Sequence, residues 1–263
     1  MPTRLLGAHG RLALRPMNSE PSGVHPLKRR LKILGLAALF LIVLAVFLQR
    51  ISTYSRWQIF GDLIYRVDTT QPIFALTFDD GPHPIFTPQI LDLLAAHRAK
   101  ATFFVLGMHA KKYPQILTRI LAEGHELANH SFSHSRLVFR SPGFIRDEIG
   151  RTDTLLNKAG ARGVPLFRAP YGAKLFVLPW LLAREKRSHI LFDIITNDYE
   201  RPGAEVIAAD VLARVRPGSI VVMHDGGGDR SQTVAATKSI LQKLQRRKFR
   251  ALTVSELLRE RKR

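Results

Sequence analysis

From Trp57 to the C-terminus, short apolar runs alternate with longer stretches whose apolar positions recur every three or four residues. The short runs are 73–78 (IFALTF), 101–107 (ATFFVLG), 125–129 (HELAN), 165–168 (PLFR), 189–196 (HILFDIIT), 219–224 (SIVVMH) and 249–254 (FRALTV). Helical periodicity covers 87–98, 113–124, 144–160, 175–186, 202–215 and 231–245. Thr87-Pro88 reads as a cap and first turn, and Gly124 and Gly160 read as C-terminal stops. Seven strands alternating with six helices predict a parallel α/β sheet, and strands apolar on both faces suit a sheet covered on both sides. The pattern by itself fits either a barrel or an open doubly wound sheet.

The N-terminal fifth follows another rule. Residues 1–27, rich in Pro, Gly, Arg and Ser, have no periodicity and read as unstructured. Lys28-Arg29-Arg30-Leu31-Lys32 then precedes sixteen apolar residues, Ile33 to Leu48, closed by Gln49-Arg50. With Leu31 and a snorkelling Lys32 this run approaches the roughly 20 residues of a membrane span. No polar face interrupts it, as a core helix would require, and no small-residue cleavage site follows. Lys32 occupies a position where a twin-arginine signal wants an apolar residue. The seven Lys/Arg before the span favour the cytoplasmic side. The expected organisation is a basic cytoplasmic tail (1–30), a signal-anchor helix (31–49), a lead-in (50–70), an extracytoplasmic α/β domain (71–258) and a basic tail (259–263).

Composition narrows the chemistry. None of the 263 residues is cysteine, which removes disulfides and thiolate metal sites. The net charge is +19, with eight Lys/Arg against one Glu in residues 1–50. The remaining excess is spread evenly, as on a solvated surface, and the basic C-terminal tail reads as a solvated helix end. A nucleic-acid role would rest on net charge alone, so no nucleic-acid partner is expected.

Polar residues cluster where the strands end: Asp79 and Asp80 after the first run, His130 after the third with His134 four residues on, Arg168 at the end of the fourth, Asp198 after the fifth and His224 at the end of the sixth. In parallel α/β proteins those ends form one rim, where active sites are built. His130 and His134 at i and i+4 would share a helical face, a chelating spacing. Two histidines and one carboxylate make a catalytic metal set with an open position for water. One aspartate can then bind metal while the other accepts a proton, with Arg168 keeping that base ionised and oriented. Gly81-Pro82 would turn the chain so that both carboxylates face the rim. Iron-dependent oxygen chemistry uses a similar metal set but leaves Asp79 and His224 without work.

In this order, TFDDGP (77–82), HSFSH (130–134), RAPY (168–171), NDY (197–199) and VMH (222–224) resemble the five motifs of the polysaccharide deacetylases of carbohydrate esterase family 4, a likeness running from about Ile59 to Leu258. The resemblance implies a distorted seven-stranded (β/α) barrel and a hydrolase removing N-acetyl groups from a cell-envelope polysaccharide, GlcNAc residues of peptidoglycan or chitin-like oligomers. It implies Asp80, His130 and His134 as ligands of a divalent metal, zinc foremost, with cobalt, nickel or manganese as substitutes. Asp79 would be the general base oriented by Arg168, and His224 the general acid tuned by Asp198. The Tyr171 N–H would bind the oxyanion. Two positions depart from the family: Tyr199 stands where it has Trp and Val222 where it has Leu, both in the acetyl pocket, so substrate range is open. An inactive glycan-binding module is the alternative, yet none of the acid–base or ligand positions is lost.

Other polar residues carry plainer expectations: His83 a turn, His125 a strand start, His97, His109 and His189 surface or packing, and Asp225 and Asp229 the shaping of the loop after His224.

Overall fold

In a computed structural model of the chain, residues 26–162 and 165–261 are described. The segment 1–25 and the last two residues of the basic tail, both subjects of expectations above, lie outside them. The chain divides into two compact units, up to Val46 and from Phe47 onward. The first holds most of helix α1 (Pro26–Thr53), longer at both ends than the 31–49 expected. Its span Leu27–Thr53 is long and apolar enough to cross a membrane. At 1.5 Å per residue it reaches about 40 Å, against about 30 Å of bilayer hydrocarbon. Apolar on every side, it leaves Leu34, Phe40 and Ile42 more than half exposed.

The second unit contains, in order, β1 (Leu63–Ile64), β2 (Ile73–Asp79), α2 (Phe86–Ala96), β3 (Thr102–Val105), α3 (Gly107–Lys112), α4 (Pro114–Ala122), β4 (Glu126–Asn129), α5 (Pro142–Ala159) and β5 (Leu166–Phe167). Then come α6 (Val177–Arg184), β6 (Ser188–Ile190), β7 (Ile194–Ile195), α7 (Ala204–Arg214), β8 (Ile220–His224), α8 (Ser231–Arg246), β9 (Arg250–Leu252) and α9 (Val254–Arg259). The strands form one nine-stranded parallel sheet ordered β1-β6-β5-β4-β3-β2-β8-β7, with β9 added beside the start of β2.

Nine strands replace the expected seven for two reasons. First, β1 lies in what reads as a lead-in, yet pairs with β6. Second, the run 189–196 breaks at Leu191-Phe192-Asp193: its first half pairs with β5 and its second with β8. The Asp193 side chain bridges the break by accepting from the Ile220 N–H at 2.8 Å and the Ser219 hydroxyl at 3.0 Å. Three residues therefore join near-opposite ends of the sheet, which is possible only if it curls into the expected (β/α) barrel form.

Strand period assigns the layers. On β2, Phe74, Leu76 and Phe78 pack outward with Ile90, Leu91 and Leu94 of α2. Ile73 and Ala75 face the other cluster, with Phe104, Ile190 and Ile220. Continuing that alternation puts Thr77 and Asp79 on the interior face, at its upper end. Phe78 is fully buried and stacks on Phe103 at 5.3 Å between ring centroids. Phe78→Ala should cost about 3–5 kcal/mol, read as a lower urea midpoint for the detergent-solubilised chain. An unchanged midpoint would remove Phe78 from the packing assigned to it.

Candidate active site

The site is built from β2 upward. Asp79 is buried, and Arg168 Nη1 donates to its Oδ1 at 2.6 Å and to Thr77 Oγ1 at 2.8 Å. The guanidinium is itself fully buried over the Phe104 ring, 3.9 Å from the centroid, and donates to the Ile190 and Leu191 carbonyls. Every face of that charge is occupied. Burial holds the Asp79 carboxyl above its ordinary range although Arg168 pulls it down. The result is a carboxylate with enhanced proton affinity.

Asp80 reaches the same rim by a different device from the one expected. Its own backbone adopts φ 71°, a left-handed conformation that Asp tolerates better than most residues, and this re-aims its side chain. Gly81 meets another need: a Cβ there would sit 2.2 Å from Asp225 Oδ2. Asp225 is buried, accepts from Thr87 Oγ1 at 2.5 Å, and is pushed up to about 7 by burial. Thr87 thus spends its hydroxyl on the loop after His224, and the helix starts at Phe86 without it. Gly226 closes the turn: a Cβ there would lie 2.1 Å from the Asp80 carbonyl oxygen.

His130 and His134 do not share a helix. They flank a loop after β4 in which Ser131 (φ 68°) and His134 (φ 60°) are left-handed. The loop resists helix because its amides bond elsewhere. The Ser131 N–H donates to Asn129 Oδ1, and the Phe132 and Ser133 N–H groups donate to one oxygen of the buried Glu148. His130 Nδ1 lies 2.9 Å from the Arg168 carbonyl oxygen, so Nδ1 carries the proton and Nε2 keeps its lone pair. Burial pushes His130 down to about 3, keeping it neutral.

Asp80 Oδ1 is buried and lacks a hydrogen-bond partner, with His134 Nε2 at 3.3 Å and His130 Nε2 at 3.6 Å. Within the described residues, one donor atom from each of the three lies within 4.8 Å of the others. Bonds of about 2.1 Å at tetrahedral angles separate ligands by about 3.4 Å, so the set fits a small divalent cation. The orphaned oxygen is then explained.

Across the cleft, His224 Nδ1 meets Asp198 Oδ1 at 2.7 Å, while Asp198 Oδ2 accepts from the His224 N–H and Thr233 Oγ1. Burial opposes charge on His224, but the Asp198 hydrogen bond and charge outweigh it and hold the imidazolium above the usual histidine range. Burial likewise opposes the Asp198 charge, and the bonds from His224 and Thr233 overcome it, leaving Asp198 below the ordinary carboxylate range. Asp79 and His224 are register partners on neighbouring strands, so they stand side by side at one level.

These groups line a cleft of about 430 Å³ with Ala169, Phe192, Ile195 and the fully covered Val222 in its wall. Tyr199 sets its ring edge against His224 at 5.5 Å. The Tyr171 ring lies against His134 at 4.5 Å, on a turn with φ 59° whose own bonds come from the Gly172 and Ala173 amides and leave the Tyr171 N–H unused by them. All ten residues singled out from the sequence for the site are therefore at or beneath one cleft, the Arg168 and Asp198 side chains forming its floor.

Sequence reasoning missed Glu148, Asn129 and Thr233. Glu148 sits in an amphipathic helix 14 residues beyond His134, and nothing local marks it. His109, expected at the surface or in packing, is half-buried and places Nδ1 2.7 Å from the Asp80 carbonyl oxygen. His83 is the turn residue expected, its ring accepting from the Ile85 N–H.

A model of the polysaccharide deacetylase family matches residues 66–180. A chitooligosaccharide deacetylase of Bradyrhizobium sp. is 38% identical over 195 residues, covering 70% of this chain and 89% of that protein. A crystal structure of a peptidoglycan N-acetylglucosamine deacetylase matches with a TM-score of 0.72 and 32% identity, over 76% of this chain and 94% of the other. A CE4 family pseudoenzyme from Bacillus anthracis matches with a TM-score of 0.70 and 28% identity, over 76% and 70%.

Glu148→Gln should weaken acceptance from two loop amides and lower divalent-metal affinity by about 10–100-fold, as loss of supporting partners does at metal sites. Metal titration against a competing chelator reads this. Wild-type affinity would show that the loop holds its shape without the Glu148 charge.

Proposed function

The chain belongs to the polysaccharide deacetylase family, and on that premise we propose that it hydrolyses N-acetyl groups on GlcNAc residues of a cell-envelope glycan, peptidoglycan or a chitin-like oligomer. The observation that carries this is the facing of two half-sites: the three-donor cluster and Asp79 on one wall, the Asp198–His224 pair on the other. The Asp79–His224 register sets base and acid about one strand spacing apart, on neighbouring strands.

Asp80, His130 and His134 would hold the divalent metal, zinc by ligand type, with cobalt, nickel or manganese also matching a mixed N/O set. When bound, such a cation polarises the acetamide carbonyl and lowers the pKa of water. Asp79 takes the proton of the attacking water; Arg168 fixes which oxygen does so by occupying Oδ1. The Tyr171 N–H donates to the oxygen that gains charge. His224 gives its proton to the departing amine nitrogen, which otherwise leaves poorly, and Asp198 keeps the imidazolium formed beforehand. The products are acetate and a glucosamine amine. Tyr199 and Val222 set the size of the acyl pocket.

We further read α1 as a single-pass anchor that leaves the catalytic unit on the extracytoplasmic side. The likeness to a pseudoenzyme favours a second reading, a glycan-binding module on the same fold, and turnover decides between them.

Asp79→Asn should lower kcat by about 10²–10⁴-fold, the usual worth of a general base, with metal affinity nearly unchanged; undiminished turnover would overturn the base assignment. The pH profile tests the acid. His224 must be protonated to act, and Asp198 holds its pKa above the usual histidine range, so kcat/KM should fall as pH rises through that pKa. Asp198→Asn removes the supporting charge and should move this alkaline limb to lower pH. A limb that stays in place would detach Asp198 from the proton donor.

A further inference from the structure

The segment after α1 does not trail away from the barrel. The Lys174 N–H donates to the Ser52 carbonyl at 2.7 Å, and the buried Lys174 Nζ donates to the Tyr54 carbonyl at 2.6 Å. Further on, Gly61 presses against α6, where an added Cβ would meet Ala183 Cβ at 2.9 Å. Segment and helix therefore share one face.

That face is apolar and uncovered. Tyr54, Trp57, Ile59 and Phe60 on the segment, Phe176 immediately before α6 and Trp180 one turn later within it are each 38–52% exposed. The chain's only two tryptophans are both here. Six such side chains on two adjoining elements exceed the scattered exposure of a monomer surface. Exposed cations lie on or next to the same two elements: Arg56, whose guanidinium lies 5.9 Å from the Tyr65 ring centroid, Lys186 just after α6, and Arg184, 5.6 Å from the Trp180 ring centroid. The nearby acids are Asp62 and Glu185, and Glu185 is engaged by Arg187 at 2.9 Å.

We propose that this face beds into the headgroup region of the bilayer, so that the catalytic unit lies on the membrane rather than hanging from it. Tyrosine and tryptophan concentrate at that depth because their rings are apolar and their tips polar. Arginine beside them meets lipid phosphate, and a net cationic rim matches anionic headgroups. The chain itself delivers the face to that place, since Tyr54 follows α1 directly. The inference rests on reading α1 as a membrane anchor.

The two tryptophans supply the test. Full-length Trp57→Phe and Trp180→Phe variants, each with one tryptophan, would be reconstituted in phosphatidylcholine–phosphatidylglycerol vesicles with brominated acyl chains. Trp180 emission should fall by about half, most with bromine near the glycerol end, as for an interfacial ring. If Trp57 is quenched and Trp180 is not, the anchor reading survives and the docked face is refuted. If the chain does not float with vesicles, the anchor reading fails and takes this one with it. Trp180 shielded from aqueous quencher by GlcNAc oligomers, but untouched by brominated lipid, would make the face a glycan platform and overturn the proposal.

Discussion

The site depends on one buried charge. Arg168 lies beneath the rim with no exposed surface, its guanidinium bonded to Asp79, Thr77 and two main-chain carbonyls and stacked on Phe104. Burying a guanidinium costs several kcal/mol unless partners surround it, and here they do. The same residue acts again through its carbonyl oxygen, which accepts a hydrogen bond from His130 Nδ1–H and so turns Nε2 toward Asp80. The proposed base Asp79 and the candidate metal donor His130 are thereby both oriented by a single position just after β5. Losing Arg168 would leave Asp79 as an uncompensated buried carboxylate and free the His130 ring together.

Around this centre the backbone is held in conformations that L-residues rarely adopt. Among the described residues, ten non-glycine positions have positive φ, and five of them, Asp80, Ser131, His134, Tyr171 and Asn197, fall within the five motifs. Each such residue costs on the order of 1 kcal/mol and persists only where surroundings over-determine it. The determining contacts are visible: Gly81 against Asp225, Gly226 against the Asp80 carbonyl, and Glu148 holding the histidine loop. A barrel rim that must gather side chains from five strand ends cannot do so with extended backbone alone.

How much of this the sequence shows follows from range. The apolar run of β2 is local, so it reads as a strand covered on both faces, and the polar residues at strand ends read as a rim. The break at Leu191–Asp193 is invisible, because both halves are apolar and only the pairing with β5 and β8 separates them. Strand β1 has two residues, too short for any period. The His-x-x-x-His spacing reads as helix, since the competing acceptors for its amides, above all Glu148, come from another element. Tyr199 and Val222 read as departures from a family pattern, and the structure adds where they sit: Tyr199 edge-on to His224, Val222 in the cleft wall.

The central claim is that these residues form a metal-dependent deacetylase rather than an inherited fold without turnover. Acetate release by the full-length chain in detergent, on N-acetylglucosamine oligomers, with chelator and then with a divalent cation restored, tests it most directly. The account requires acetate that disappears with chelator and returns with zinc, cobalt, nickel or manganese. No acetate with any of these ions, from a folded chain that binds the oligomers, would contradict it.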